Sequence, residues 1–296
     1  MKYVDKNFIA VHKQDPVHFF EFDEFESIPT KTDYVLIPGG HHWNFFDQYD
    51  GNNVVMIHLE APNCFMHGID EPRLFSKYDS KIYKVYSICP YSVEYFNNQS
   101  KNNKWETIWM PFNLKYIPTP SEKIFDVYYS GHKCSSPINL DLLNNYNKCI
   151  VAFDGGTHSG VDYVTKLKLA SQSKISIVHN ILKMPYPHLT DTYPTHKGLS
   201  LCKTLGMAPQ LKTRGIEAAA SKSLILCFYD EWRLLENQFT PDVDFLYWYN
   251  ENDLKEKISE ILKNYDRYQP MIDSAYNKII TKWSTANFFN QFLKNT

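Results

Sequence analysis

Residues 210–230 read QLKTRGIEAAASKSLILCFYD. Two cations, Lys212 and Arg214, stand where a helix begins, and Ala218, Ala219 and Ala220 continue it. The run Leu224–Phe228 follows, apolar throughout, and closes at Tyr229-Asp230. Small side chains let a helix lie close against a sheet. A short run that is apolar at every position suits a strand buried on both faces. Helix, buried strand and turn in this order predict one unit of a parallel α/β sheet.

The alternation recurs outward from that stretch. Residues 124–130 (IFDVYYS) stop at Gly131, and residues 149–153 (CIVAF) stop at Asp154-Gly155-Gly156. A capping-box pattern at 159–162 opens a helix running to about Ser171. Residues 175–178 form a strand ending at His179-Asn180, and residues 245–249 form another. Asp230 is placed to cap a helix after the 224–228 strand. Leu254, Ile258, Ile261, Leu262 and Tyr265 keep helical spacing. Towards the N-terminus, residues 33–38, 53–60 and 84–89 are further strand candidates, the first ending at Gly39-Gly40. Ligands of such sheets sit beyond the carboxyl ends of the strands. The loops after Ser130, Phe153, Val178 and Phe228 are therefore where chemistry is expected.

Between the two halves, residues 110–121 read MPFNLKYIPTPS. Pro111, Pro118 and Pro120 remove amide donors and hold their predecessors extended, which suits a linker. The expected organisation is an N-terminal domain over 1–115, a second domain over 116–280 and a terminal helix over 281–296 that returns to the first.

Composition narrows the classes. The chain has 296 residues, 43% apolar and 16% aromatic, with a formal net charge of −2. That is ample core material, with no basic excess of the kind that binds nucleic acid or an anionic membrane. The six cysteines (Cys64, Cys89, Cys134, Cys149, Cys202, Cys227) show no CxxC spacing and read as reduced thiols. The opening MKYVDKNFIA is too polar for a signal-peptide core, and no apolar run reaches the ~20 residues of a spanning helix. The expectation is a cytoplasmic protein with no integral membrane segment.

Lys212 and Arg214 beside a helix N-terminus suit phosphate oxygens: the arginine offers paired donors and the lysine a point charge. Glu217, one turn on, can accept from a ribose diol. Together they suit a nucleoside diphosphate; an ordinary charged first turn of an amphipathic helix would look the same.

The ordered set of residues 212–220, LILCFYD and FLYWYNENDL resembles the C-terminal domain of GT-B glycosyltransferases. Within them it is most similar to the CgeB-like (spore-maturation type) group, which carries an arginine three residues before a glutamate, as Arg214 and Glu217 stand here. Residues 123–132 resemble that domain's first strand and glycine loop, and residues 174–180 the strand ending beside the nucleobase. The resemblance covers roughly residues 80–285. It implies two Rossmann-like domains facing each other across a cleft, the acceptor bound by the first and the nucleotide-sugar donor by the second. It implies that Lys212, Thr213 and Arg214 meet the diphosphate and Glu217 the ribose. Gly131 would let the backbone approach the donor phosphates with His132 beside it, and Asn180 and Lys183 would lie near base or phosphates. The activity implied is metal-independent transfer of a sugar, of hexosyltransferase type, from a UDP- or GDP-linked donor to a glycan or other hydroxyl acceptor. One departure stands out. Many retaining members carry a second glutamate eight residues before the ribose-binding one, and here that position is Pro209. Retention and inversion both stay open.

Candidates for an acceptor base are His42, in the Gly39-Gly40-His41-His42 loop, and Glu60, beyond the 53–60 strand. Glu60 could equally be an acceptor-sugar ligand, Asp70 is a third and weaker choice, and His58 ends the same strand as Glu60; each has a plain structural alternative. Asp242-Val243-Asp244 has the form of the metal-binding DxD of GT-A enzymes, yet it precedes its strand and reads as a solvated turn. No metal or other cofactor is expected. Tyr247, Trp248, Tyr249, Trp105 and Trp109 read as packing residues, with sugar stacking as the alternative. The sequence contains no G-x-G-x-x-G after a strand, no Walker A, no G-x-S-x-G and no H-E-x-x-H. An epimerase or hydrolase on the same fold, and a non-catalytic sugar-nucleotide or glycan-binding protein, are the remaining readings.

Overall fold

The structure is a computed structural model and describes residues 2–3, 6–10, 34–38, 43–58, 70–100, 102–133, 136–153, 161–183 and 188–292. The chain divides into two compact units. Residues 1–111, 184–210 and 285–296 make the first, and residues 112–183 and 211–284 the second.

The first unit holds strands β1 (Lys2–Tyr3), β2 (Lys6–Ala10), β3 (Tyr34–Pro38), β4 (Val54–His58), β5 (Ile82–Ser87) and β6 (Trp105–Thr107), paired in that order. β1 and β2 are antiparallel, and every later pair is parallel. Helices α1 (Phe45–Gln48), α2 (Glu71–Tyr78) and α3 (Pro90–Gln99) cross between strands. Asp70 caps α2 by accepting from the Arg73 amide at 3.2 Å, and Pro72 and Pro90 sit in the first turns of α2 and α3, where an amide has no partner to lose. Val35, Ile37, Val54, Met56 and Val85 meet Phe46, Phe75, Phe96 and Trp105 in the core. The Phe96 and Trp105 rings stack at 4.2 Å.

Residues 116–280 were expected to be one domain, yet 188–210 pack with the first unit: Leu189, Leu199, Cys202 and Ala208 fill its core. His196 is anchored there too, 3.0 Å from the Ser92 hydroxyl. The division at Pro111–Phe112 falls inside the proline-rich stretch, a few residues before 115.

The second unit is built on a five-stranded, wholly parallel sheet of β7 (Phe125–His132), β8 (Lys148–Phe153), β9 (Ser173–Val178), β12 (Leu224–Phe228) and β13 (Phe245–Trp248). The two intervening short strands are β10 (Ile181–Lys183) and β11 (Met207–Pro209). The sheet order is β13-β12-β9-β7-β8. Its helices are α4 (Tyr163–Ser171), α5 (Arg214–Ala220), α6 (Glu251–Lys263) and α7 (Gln269–Thr281). Strand period two sorts the side chains. Val127, Tyr129, Ile175, Ile177, Leu224 and Leu226 join Leu254, Ile258, Ile261 and Ile272 in one core, whereas Tyr128 faces a smaller cluster with Val151 and Ala170.

Three local expectations change. Asp162 itself is the N-cap of α4, accepting from the Thr165 amide at 2.9 Å, so the helix starts three residues later than a box capped by residue 159 implies. No α-helix follows Asp230. Its carboxylate accepts from the Trp232 and Arg233 amides at 3.0 and 2.8 Å, Arg233 turns left-handed at φ 47°, and only the 3₁₀ turn Leu234–Asn237 forms before Pro241. In the expected solvated DxD turn, Asp242 is exposed but Asp244 is fully buried. Asp244 accepts from the Thr240 amide and the Ser274 hydroxyl and pairs with Lys278. The terminal helix α8 (Thr285–Phe292) belongs to the first unit, where Tyr86 donates to the Phe292 carbonyl at 3.0 Å and Trp109 meets Phe288 edge-on at 5.5 Å.

Candidate functional site

The order of the second sheet fixes where a ligand belongs. The chain steps from β7 to β8 on one side, then returns to place β9 on the other side of β7. At such a reversal the flanking connections leave on opposite faces and a crevice opens past the carboxyl ends of the two strands. Here those ends are Gly131-His132 on β7 and His179-Asn180 after β9.

Arg214, the first residue of α5, fills this position. Its Nη1 donates to Nε2 of His179 at 2.7 Å, and its guanidinium carbon lies 5.5 Å from the centre of the Tyr129 ring. The guanidinium also lies against Gly131, where a Cβ would stand 1.7 Å from Nη2. Gly131 has φ +129°, a conformation that L side chains rarely adopt. The glycine is thus needed twice, for its backbone angle and for the arginine above it.

His179 is buried and its tautomer follows from its partners. Nδ1 lies 3.2 Å from the Ile181 carbonyl, which can only accept, so Nδ1 carries the proton and Nε2 is the acceptor for Arg214. The Tyr129 hydroxyl is also within 3.2 Å of Nε2, and the two rings lie nearly parallel at 19°. Burial, then the charges of Arg214, Lys212 and Lys183, hold the imidazole well below its ordinary pKa. It is neutral at physiological pH. The same interactions show that the three cations share one neighbourhood.

The remaining expected donor residues divide. Lys212 is half-buried, and its amide donates to Asn180 Oδ1 at 2.9 Å. Asn180 is fully buried and its Nδ2 faces the Cys227 sulfur at 3.7 Å. The side chain is a strut from the end of β9 to the entry of α5 and is turned away from solvent, contrary to the expectation that it meets base or phosphate. Thr213 occupies the N-cap of α5 without a side-chain capping bond. His132 is half-buried, and its carbonyl lies 3.3 Å from the Tyr129 hydroxyl. Lys183 is exposed. Glu217 is buried, with Oε2 held at 2.6 Å by Lys166 of α4. The cavity beside it is about 10 Å³, walled by Tyr128, Ser130, Ser176 and Arg214 among others, and has room for a water but not for a ribose.

On the other unit, His42 and Glu60 lie outside the described residues. His58 is fully buried, with Nε2 at 2.8 Å from Glu71, itself fully buried. Asp70 is the cap of α2. His58 therefore presents no base to solvent, whereas Asp70 is exposed with its carboxylate engaged by the Arg73 amide. Tyr247, Trp248, Trp105 and Trp109 are buried, while Tyr249 is 55% exposed and lies 5.1 Å from Tyr229. Cys89, Cys202 and Cys227 are buried free thiols and Cys149 is a half-buried one; Cys64 and Cys134 lie outside the described residues. Among the described residues, no three of the His, Cys, Asp and Glu side chains come together as a metal-binding group. No helix among them is long and apolar enough to cross a membrane.

Residues 159–294, which include Arg214 and Glu217, match the family model described as "Glycosyl transferase-like". This part of the chain is similar to glycosyl transferase-like domains. Solved structures agree on the fold. TarM of S. aureus, a mutant in complex with fondaparinux, alpha-GlcNAc-glycerol and UDP, is 14% identical with a TM-score of 0.53 over 85% of this chain and 57% of its own. HepE of Anabaena, in complex with UDP and glucose, is 9% identical with a TM-score of 0.56 over 89% of this chain and 77% of its own. BGT of T4 phage, in complex with UDP and Mn2+, is 13% identical with a TM-score of 0.51 over 89% of this chain and 82% of its own. The chain spans 57% and 54% of the length of the two TarM structures, a little over half. No curated protein matches it in sequence. The likeness to these structures shows the GT-B fold.

Of the expected donor residues, Arg214, Lys212, Lys183 and Gly131 come together near His179, which the sequence reading does not single out. The available signal was a histidine at the end of a strand on the reversal of the sheet order, which becomes visible only once the strand order is known.

Proposed function

We propose that the protein transfers a sugar, of hexosyltransferase type, from a nucleoside-diphosphate sugar to a hydroxyl acceptor such as a glycan. The observation that carries this reading is the convergence of Arg214, Lys212 and Lys183 around His179 at the sheet's reversal point. Leaving of a nucleoside diphosphate builds negative charge on its β-phosphate. Cations fixed in advance stabilise that charge without reorganising as the anomeric bond breaks. Arg214 is assigned to the diphosphate together with Lys212 and Lys183. Thr213, with no capping bond of its own, offers a hydroxyl beside them, and Gly131 and His132 border the same space. Glu217 is assigned to the ribose, a contact that entails displacing Lys166. The acceptor is assigned to the first unit, with His42 or Glu60 as the base for an inverting reaction.

With three cations at the site, charge neutralisation is assigned to the protein and not to a metal, and the one DxD-like segment has its second aspartate committed to Lys278 and Ser274. All three neighbours described above hold UDP, which makes a UDP-linked donor the first to test and a GDP-linked one the second. The test is a thermal-shift screen of the purified protein against UDP, GDP, CDP and ADP, each with and without EDTA. A ligand that binds the folded state raises the melting temperature by mass action. A shift with one nucleoside diphosphate that survives EDTA is expected. No shift with any of them sinks the donor site, and a shift abolished by EDTA sinks the metal-independent reading.

A further inference from the structure

We propose that His179 is a positioning residue, a neutral acceptor that fixes the Arg214 guanidinium at the strand ends so that it meets the diphosphate in one orientation. The inference rests on the reading of Arg214 as a diphosphate ligand.

An arginine side chain has many rotamers, and ordering it on binding costs affinity. Here the guanidinium is ordered before any ligand arrives. The Ile181 carbonyl takes the Nδ1 proton of His179, which leaves Nε2 as a lone-pair acceptor pointing at Nη1. The ring is held flat by Tyr129, whose face also lies under the guanidinium carbon. Gly131, with no Cβ, leaves room for Nη2. A carboxylate in the place of His179 would hold Arg214 more strongly and would cancel its charge. A neutral imidazole orients the cation and leaves its full charge for an anion. Burial and the neighbouring cations keep the ring in that neutral state. The groups facing it are Tyr129 from β7, Arg214 from α5, Lys212 from the entry to α5 and Lys183 from β10, and none of these is acidic.

The test is a double-mutant cycle read by calorimetric UDP affinity (or GDP, if the thermal-shift screen selects it), with melting temperatures of the unliganded variants in parallel. The variants are His179→Ala, His179→Gln, Arg214→Ala and the double His179→Ala/Arg214→Ala. Loss of a charged hydrogen bond that orients the ligand's partner predicts a weakening of roughly tenfold or more for His179→Ala. The glutamine amide oxygen can accept from Arg214, so His179→Gln is expected to recover most of that loss. Once Arg214 is absent, removing His179 is expected to change affinity by less than about twofold, because coupled residues are non-additive. A residue that only props up the fold would instead lower affinity by the same factor in both backgrounds. Additive losses, or unchanged affinity in His179→Ala, overturn the role of His179 while leaving Arg214 in place. Wild-type affinity that Arg214→Ala does not change overturns the donor-site reading, and the inference with it.

Discussion

Arg214 donates through Nη1 to Nε2 of His179 at 2.7 Å, across 35 residues of sequence and from the start of a helix to the end of a strand. This bond puts the cation at the place where the sheet order reverses. If the cation stabilises the departing diphosphate, its removal is felt at the chemical step. Arg214→Ala is expected to lower the rate of nucleoside-diphosphate release from the donor by about 10²–10³-fold, the scale set by losing one preorganised donor. Arg214→Lys should recover little, since an ammonium cannot bond His179 and a phosphate with the geometry of a planar fork. Steady-state release assays decide it, and a rate within about threefold of the unmutated protein counts against the assignment.

Gly131 and Gly206 separate two effects of adding a methyl group. Both have positive φ, at 129° and 64°. At Gly206 nothing lies within 4 Å of the added Cβ, whereas at Gly131 it collides with Arg214. Gly206→Ala should cost about 1 kcal/mol of stability through the backbone alone and leave UDP affinity intact. Gly131→Ala should cost about 1–3 kcal/mol and weaken UDP binding as well, because the guanidinium is displaced. Chemical denaturation and calorimetry on the two variants distinguish these outcomes.

The strands around this site were legible because parallel strands buried on both faces are unbroken apolar runs stopped by glycine or aspartate. Leu224–Phe228 coincides with its expected run, and β7, β8, β9 and β13 differ from theirs by one or two residues at an end. The element after Asp230 was misread because two backbone bonds to the carboxylate turn the chain at once, and a left-handed Arg233 is invisible in a helical pattern. The three-residue β6 is too short to show a period. Arg214, Lys212 and Glu217 announced themselves by local spacing. The partner of each did not: His179, Asn180 and Lys166 are brought to them by strand order and helix packing. Local spacing shows which charges are present, whereas tertiary pairing decides which of them remains open to a ligand.

Asp244 supplies a test of the DxD-like segment. Its carboxylate is fully buried and takes the Thr240 amide at 2.6 Å, the Ser274 hydroxyl at 2.7 Å and the Lys278 ammonium. Removing one member of a buried pair strands the other charge. Lys278→Met is expected to destabilise the fold by about 3–5 kcal/mol. The folded fraction should keep its nucleotide affinity, with EDTA having no effect in either protein. Denaturation midpoints and calorimetry check both halves; a variant that keeps its stability and loses nucleotide binding would return the segment to the active site.

Asp230 ties stability to pH with a definite sign. Burial pushes its carboxyl up from the ordinary 3.8 to about 7, against the two amides that favour the charged form. An acid whose folded pKa is raised contributes stability that is complete below its unfolded pKa and is lost as pH rises through the folded one. The window here runs from about 4 to about 7. Asp230→Asn keeps an oxygen for the Trp232 and Arg233 amides and cannot ionise. The variant should therefore gain stability on the wild type as pH rises from 5 to 8, with the gain levelling off above the folded pKa. Paired denaturation curves at pH 5, 6.5 and 8 measure the difference and cancel the other carboxylates, which titrate alike in both proteins. A difference that stays constant across the three would mean that Asp230 is ionised in the fold throughout, its two amide bonds outweighing burial.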